Sequence, residues 1–588
     1  MSDPRVRARV TWAVVALAGL LAATVAPGPP RLAASAATAG VVRLSLVATT
    51  DLHGYVFPRD GAGGLAVFGG YLSNLRAARA ADGGGVVLVD SGDTWLGGIE
   101  SDMSEGAVVV DAYGALGYAA SAVGNHDLEF GPVDAWWTAP GEVSDLRGAI
   151  KARARQAVFP FLAANLAECA TGTPVAWPNV RPSTLVEVAG VRVGLVGVMT
   201  LDALSLTLAP NVAGLVVTPL VPAIVREATA LRARGAQVIV VVAHAGGSCA
   251  RFDAPDDLSS CDDSAEIVHV ARELPAGLVD AIAAGHTHDG MAHRVNGLPI
   301  VQAYSWGRAF GRIDLDVDTT RAATAVVAAT VHAPTMICAR LDAATGGCAT
   351  ASTTLPVPAR YEGREVRPDA RVTAAMAPAM ARVTAVRARS LGTTLADGVA
   401  RVGGGGESPL GHLFAEAIRD AVPGATIGLS YGAGPGGLRA DLEPGPLTVG
   451  ALYDVFPFDN AVEAMWLTGA ELARVVDDHL SRPRWGARSL GLAGARVLLT
   501  CEGTRPAVRL TDEAGQPLAP EARHLVALPD FLAARARRAG VGSAAPVAPP
   551  VLVREAAEQW ARRGPSIRPV ALTGRWRVAD DAARCTAP

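Results

Sequence analysis

Lysine is all but missing from this chain: Lys151 is the only one in 588 residues, so every other long cationic side chain is Arg. Positive charge is not in excess either, because 52 Lys and Arg stand against 56 Asp and Glu. Bulk charge therefore gives nucleic acid no reason to bind. The seven cysteines include no C-x-x-C pair, which argues against a zinc knuckle. Past residue 36 no apolar run reaches the ~20 residues that a membrane-spanning helix needs. No internal repeat recurs, and no Cys follows the first apolar run to take a lipid.

What is present is globular in composition, half apolar and 18% charged, and the length suggests about two to four units of roughly 100 to 200 residues. Arg5, Arg7 and Arg9 precede an apolar run over 12–25, and Ala34-Ser35-Ala36 follows as a small-residue cleavage pattern. Residues 1–36 thus have the shape of a secretory signal, which predicts a periplasmic or secreted protein. Cysteines in an exported chain are mostly oxidised. Cys249 and Cys261 bracket a polar loop, Cys338 and Cys348 a short Ala/Gly loop, and Cys501 can pair with Cys585, leaving Cys169 alone. These pairings are expectations, since spacing does not fix connectivity.

Between 41 and 335 strand-like runs alternate with helix-like stretches such as 69–81 and 221–234, the signature of α/β layering in one catalytic domain. After Pro356 and Pro358 the strand-like runs stop. A helix-favouring linker then covers 356–389, in which Pro368 and Pro378 are expected to interrupt or kink any helix. A second unit spans 391–579. Ser408-Pro409 caps a helix over 410–422, 432–437 is a glycine-rich loop, 448–458 reads as strand-like, and 467–480 as helical.

Five short segments carry the chemistry: Thr50-Asp51-Leu52-His53, Ser91-Gly92-Asp93, Gly124-Asn125-His126-Asp127, Ala243-His244-Ala245 and Gly285-His286-Thr287-His288. Each follows an apolar run, at 41–48, 86–89, 119–123, 238–242 and 279–283, that reads as a buried strand. Carboxyl ends of strands in open α/β sheets form the usual ligand crevice, so the five segments can converge there. Five of the eleven histidines fall in them. Alone, any one of these motifs is commonplace; a lone His after a strand is most often just a satisfied histidine.

Asp51 and His53, two apart on an extended stretch, can share one ion with His288. Asp93 can bridge two ions, with Asn125, His244 and His286 completing the second set. Imidazole mixed with oxygen donors suits Zn, Mn, Co or Fe better than Ca. Two such ions can make a hydroxide at neutral pH and clamp both oxygens of an in-line displacement, the chemistry of phosphate-ester cleavage. His126, with the Glu129 carboxylate three residues on, can stabilise phosphoryl charge or protonate the leaving alkoxide.

These segments resemble the calcineurin-like metallophosphoesterase superfamily. The run from Asp90-Ser91-Gly92-Asp93-Thr94 through 108–118 to Gly124-Asn125-His126-Asp127 resembles its bacterial 5'-nucleotidase and UDP-sugar hydrolase family. So do Ser408-Pro409-Leu410-Gly411, Gly436-Gly437-Leu438-Arg439-Ala440-Asp441, Phe456-Pro457-Phe458-Asp459-Asn460 and Leu467-Thr468-Gly469-Ala470-Glu471-Leu472. The resemblance implies an α/β protein: a four-layer α/β/β/α metallophosphoesterase sandwich, a linker helix, and a C-terminal α+β domain of 5'-nucleotidase type. It implies the same two ligand sets, with His126 catalytic. Glu129 stands where the family usually has Asp, and His288 where some members use Gln.

By the same resemblance, Phe458 and Phe531 match two aromatic residues that stack a base, and Arg439 a phosphate-binding arginine. Ordinary core packing is the other reading of both rings. Gly403 to Gly406 lie where another such arginine is expected, and Gly434 where an Asn begins the glycine loop. After Phe531, Ala533-Ala534-Arg535-Ala536-Arg537-Arg538 replaces a glycine-rich grip on the ribose. The expected substrates are small phosphate esters, nucleoside 5'-monophosphates foremost, with neither polymeric nucleic acid nor membrane as partner. A 2',3'-cyclic nucleotide, a UDP-sugar or a sulfur compound as in the thiosulfohydrolases remain open, as does a secreted binding protein that has lost turnover.

Overall fold

The structure is a computed structural model that describes residues 40–579, apart from 134–144, 323–324, 435–436, 459, 481–488, 503–504, 548–550, 565 and 568–571. The expected signal, residues 1–36, and Cys585 lie outside the described residues.

All five apolar runs form strands, and they fall in two sheets. In a seven-stranded sheet Val41–Thr49 is parallel to Gly85–Asp90, which is parallel to Ala120–Ala122. In a six-stranded sheet Val238–His244 lies between two parallel neighbours, Val191–Met199 and Ala281–Ala283. Alternation along each strand then decides the layers. Val238, Val240 and Val242 pack with Leu44, Leu46, Val87 and Val89 of the other sheet. Ile239 and Val241 instead join Ile224 and Leu231 of the helix Leu220–Ala233. On the first sheet, Val47 and Leu88 join Phe68 and Leu72 of the helix Leu65–Ala81 and Val109 of Ala107–Leu116. The order is helix, sheet, sheet, helix. Both faces of these strands are covered, which is why they read as continuous apolar runs. A slip of one residue would exchange the faces of every side chain, each contributing roughly 1.5 to 3 kcal/mol by burial, so register is firmly set.

The C-terminal part is built on a five-stranded mixed sheet in the order Leu490–Ala493, Ile427–Tyr431, Arg523–Pro529, Val462–Thr468, Ser543–Ala545. Leu413, Phe414 and Ile418 of the helix Pro409–Ala421 pack with Ala464 and Ala527. The alternate residues Met465, Val526 and Leu528 meet Leu472 and Val476 of Gly469–Leu480 and Leu532 of Asp530–Arg538. The Ser408 hydroxyl accepts the Gly411 N–H at 3.1 Å, the expected cap, worth about 1 kcal/mol.

Three local expectations are corrected. The stretch 448–458 is not a strand: Val449–Val455 is a helix, capped by the Thr448 hydroxyl on the Ala451 N–H at 3.2 Å. Val449, Leu452, Tyr453 and Phe456 are all buried, a helical spacing within a run too short for its period to be distinctive. Pro378 does not end the linker helix, which runs unbroken over Ala370–Arg387. An interior proline costs about 3 kcal/mol, and burial of Val372, Met376, Ala379 and Val383 offsets it. Finally, strands do continue beyond residue 356, as the short pairs Arg340–Asp342 with Pro356–Pro358 and Arg360–Tyr361 with Arg364–Glu365.

Cys249 and Cys261 are disulfide-bonded, as are Cys338 and Cys348, and Cys169 is a free, exposed thiol. No helix among the described residues is long and apolar enough to cross a membrane.

Candidate metal centre

The five segments meet where their strands end. Past Thr49 the chain does not stay extended, a correction to the expected geometry of Asp51 and His53: both adopt left-handed backbone, each with φ of 50°. Asp93, His286 and His288 do the same, with φ of 55°, 78° and 61°. Left-handed conformations cost a non-glycine residue on the order of 1 to 2 kcal/mol, and here they are held by bonds between loops. The N–H groups of Asp51, His53 and Gly54 donate to the carbonyls of Gly92, Asp93 and Thr94 at 2.9, 2.9 and 3.0 Å. Gly92 has φ of 92°, and a Cβ there would lie 2.8 Å from the Gly124 nitrogen and 3.0 Å from His244 Nδ1. Only a bare α-carbon lets these loops approach so closely.

Two buried carboxylates that the sequence reading left without a role hold the loops. Asp90 accepts from Thr49 Oγ1 at 2.6 Å, Tyr113 OH at 2.9 Å and the Gly92 N–H at 3.0 Å. Asp127 accepts the N–H groups of Thr94 and Gly124 at 2.8 Å and of Asp93 at 3.2 Å. Burial pushes their pKa values up, to about 6 for Asp90 and, with Asp93 alongside, to about 7 for Asp127. Both stand inside motifs already singled out, but position alone carries no signal of what a carboxylate bonds.

Three groups of donors result: Asp51, His53 and His288; His53, Asp93 and His126; and Asp93, His244 and His286. In each, the candidate ligand atoms lie within 4.8 Å of one another. Asp93 Oδ2 stands 3.3 Å from His244 Nε2 and 3.8 Å from His53 Nε2. His288 Nε2 is 3.4 Å from Asp51 Oδ1 and 3.0 Å from His53 Nε2. His286 Nδ1 and Asn125 Oδ1 lie 3.2 and 3.1 Å from His244 Nε2.

The tautomers decide what these approaches mean. A carbonyl only accepts, so His53 Nδ1, 2.8 Å from Leu96 O, carries the proton, as does His244 Nδ1, 2.9 Å from Ser91 O. In the neutral rings the Nε2 lone pairs therefore turn inward, toward carboxylate and amide oxygens. Lone pairs converging on lone pairs repel unless a cation stands among them, and this donor set fits a divalent ion. Electrostatics agrees. Burial disfavours a charged His244, yet Asp93 and Asp51 outweigh it and raise its pKa to about 10. The pocket calls for positive charge at that nitrogen, which a proton or a metal ion can supply. A fourth cluster, Cys249, Cys261 and His293, has both sulfurs in a disulfide and so offers no thiolate to a metal.

His126 is half-buried at the edge of this cluster, its ring 5.0 Å from that of His53. Its Nδ1 lies 2.9 Å from Glu129 Oε2, and its N–H donates to Asp93 Oδ1 at 2.9 Å. Burial opposes a charged ring, but Glu129 and Asp93 prevail and raise the pKa to about 9.

Residues 383–538 match the family model described as 5'-nucleotidase, C-terminal domain. Over that stretch the chain is similar to the C-terminal domain of 5'-nucleotidases. An endonuclease, YhcR of Bacillus subtilis, is 24% identical over 507 residues, 84% of this chain and 37% of its own. A 5'-nucleotidase of Vibrio cholerae is 26% identical over 298 residues, 47% of this chain and 49% of its own. The chain thus spans about half the length, or less, of these curated relatives. The crystal structure of a 5'-nucleotidase precursor from Thermus thermophilus shares the fold, with a TM-score of 0.64, 22% identity, and coverage of 92% of this chain and 99% of that one.

Only part of the expected C-terminal pocket stands against the centre. Arg439 reaches it: Nη1 donates to Tyr55 OH at 3.2 Å, and Cζ lies 4.6 Å from the Phe458 ring centroid. Phe458 is half-buried and also packs edge-on against Phe456, with centroids 5.2 Å apart. Phe531 opens the helix Asp530–Arg538 and is half-buried as well. Arg535 and Arg537, after it, bond Asp478 and Glu463, so these arginines are partnered within the domain. Tyr55 and Trp306, both beside Arg439, carry no motif that marks them in the sequence.

Proposed function

We propose that the protein is an exported phosphoesterase with two divalent metal ions, and that it hydrolyses phosphate esters, nucleoside 5'-monophosphates foremost. The observation that carries this reading is the convergence of His53 and His244 Nε2 on Asp93 Oδ2, with both tautomers fixed by backbone carbonyls. Asp51, His53, Asp93 and His288 would hold one ion, and Asp93, Asn125, His244 and His286 the other. Bound there, Mn, Zn, Co or Fe would supply Lewis acidity to the phosphoryl oxygens and an activated water.

The rest falls to the chain's own groups. Glu129 keeps a proton on Nδ1 of His126, so Nε2 is the ring atom that can exchange a proton with the leaving oxygen. Arg439 would take the phosphoryl group, with Phe458 and Phe531 at the nucleoside. Export rests on residues 1–36, with their arginines, apolar run and small-residue end.

The test is phosphate release by purified protein, with Mn or Zn, from AMP, UDP-glucose, 2',3'-cyclic AMP and an aryl phosphate, with His126→Ala alongside. Preferential release from AMP, reduced in the variant, is expected. Two bound metals with no turnover of any phosphate ester would overturn the phosphoesterase reading.

A further inference from the structure

Arg439 follows the strand Ile427–Tyr431 of the C-terminal part, yet its guanidinium lies among N-terminal residues. A Cβ on Gly97 would lie 3.8 Å from Arg439 Nη1 and 3.1 Å from the carbonyl oxygen of His53, so one bare α-carbon separates the arginine from the candidate ligand loop. Two aromatic rings lie beside it: Cζ is 5.4 Å from the Trp306 centroid and 4.6 Å from that of Phe458.

Trp306 is itself tied to the centre. Its N–H donates to the carbonyl of Asp51 at 2.7 Å, its ring lies 6.0 Å from His288 and 5.9 Å from Tyr55, and its backbone is left-handed at φ of 62°. Its indole N–H is buried and has no hydrogen-bond partner among the described residues. A large residue in an unfavourable backbone conformation, with a buried donor unsatisfied, gives up stability where a smaller residue would not. Such features collect at functional sites. Cation–π attraction to rings on two elements can orient a guanidinium, and its planar fork suits phosphate recognition.

We infer that Trp306 is a positioning residue: its ring, with Phe458 and the Tyr55 hydroxyl, fixes Arg439 beside the metal centre, where the guanidinium binds the substrate's phosphoryl group. This rests on the phosphoesterase reading. Trp306 therefore sets KM and leaves kcat to the metal ligands and His126.

The experiment compares wild type, Trp306→Leu, Trp306→Phe, Arg439→Leu and the double variant Trp306→Leu/Arg439→Leu in the Mn-loaded protein. One readout is kcat and KM on 4-nitrophenyl phosphate; the other is the Kd of inorganic phosphate by calorimetry. Trp306→Leu should raise KM and Kd by about tenfold with kcat within about twofold, and Trp306→Phe should restore most of the loss. In the Arg439→Leu background the Trp306 substitution should add nothing, because its partner is gone. An equal loss with and without Arg439, or a fall in kcat at unchanged KM, would overturn the inference. If no variant and no wild type turns over any ester, the phosphoesterase reading fails by itself, and the phosphate Kd series still decides the role of Trp306.

Discussion

Asp93 and His126 are joined through one carboxylate: Asp93 Oδ1 accepts the backbone N–H of His126 at 2.9 Å while Oδ2 faces the imidazoles of His53 and His244. The loop that carries the candidate acid is thereby locked to the position that two ions would share.

Asp93→Asn keeps the carbonyl acceptor for His126 but removes the negative oxygen common to two donor groups. Metal should be lost from both positions, and elemental analysis should find little in the purified variant. His286→Ala, which removes a donor from one group only, should retain about one ion. Turnover should fall by roughly 100-fold or more in each. An Asp93→Asn protein with wild-type metal content would refute the shared position.

His126→Ala should lower kcat by about 100- to 10,000-fold with metal content unchanged, the usual range for a lost general acid. Glu129→Gln keeps an acceptor for Nδ1 but not its charge, so a smaller loss, roughly tenfold, is expected. Steady-state kinetics with a poor leaving group should show the larger deficit, because protonation matters most there. Equal deficits for an alkyl and an aryl phosphate would count against His126 as the acid.

Much of this centre was legible because short continuous apolar runs end in motifs. Strand ends place side chains from distant segments side by side, and Asp51, His53, Asp93, Asn125, His244, His286 and His288 do come together. What bonds the loops was not legible. Asp90 and Asp127 look like any acidic neighbour: the partners of Asp90 are mostly hydroxyls from separate segments, and those of Asp127 are backbone N–H groups, which every sequence possesses. The left-handed turns at Asp51 and His53 were hidden because backbone-to-backbone bonds hold them. The helix Val449–Val455 was misread because seven residues of apolar pattern fit either period, and only the cap at Thr448 and the packing on Phe414 and Phe456 favour the helix.

Asp127→Ala leaves the N–H groups of Asp93, Thr94 and Gly124 without their acceptor and frees three loop positions that feed the centre. Metal affinity should fall roughly 10- to 100-fold although no proposed ligand is touched, as for other groups behind a ligand shell. Titration of the metal-free protein with Mn or Zn measures it. Unchanged affinity would mean that the Asp90 contacts and the backbone bonds between the loops hold their shape without Asp127.

The C-terminal part offers a pH dependence that involves none of the proposed metal ligands. Glu407 Oε1 accepts His412 Nε2–H at 2.9 Å and the N–H groups of Arg575 and Trp576 at 2.6 and 3.0 Å, and Oε2 accepts that of Gly574 at 2.9 Å. His412 Nδ1 accepts the Leu492 N–H at 2.9 Å, so the ring is neutral, in keeping with burial holding its pKa low. Burial works against the Glu407 carboxylate, but the His412 bond and the backbone N–H groups prevail and lower its pKa from 4.5 to about 2. A folded pKa below the unfolded one stabilises the fold above about pH 5, and that stability is lost as pH falls from 4.5 toward 2. Its size is on the order of 3 kcal/mol. Glu407→Gln has no charge to lose. With chelator present, the gap in Tm between wild type and variant should be widest at pH 7 and clearly narrowed at pH 3. A gap that stays constant over that interval would show that the carboxylate acts through its shape and hydrogen bonds rather than through its charge.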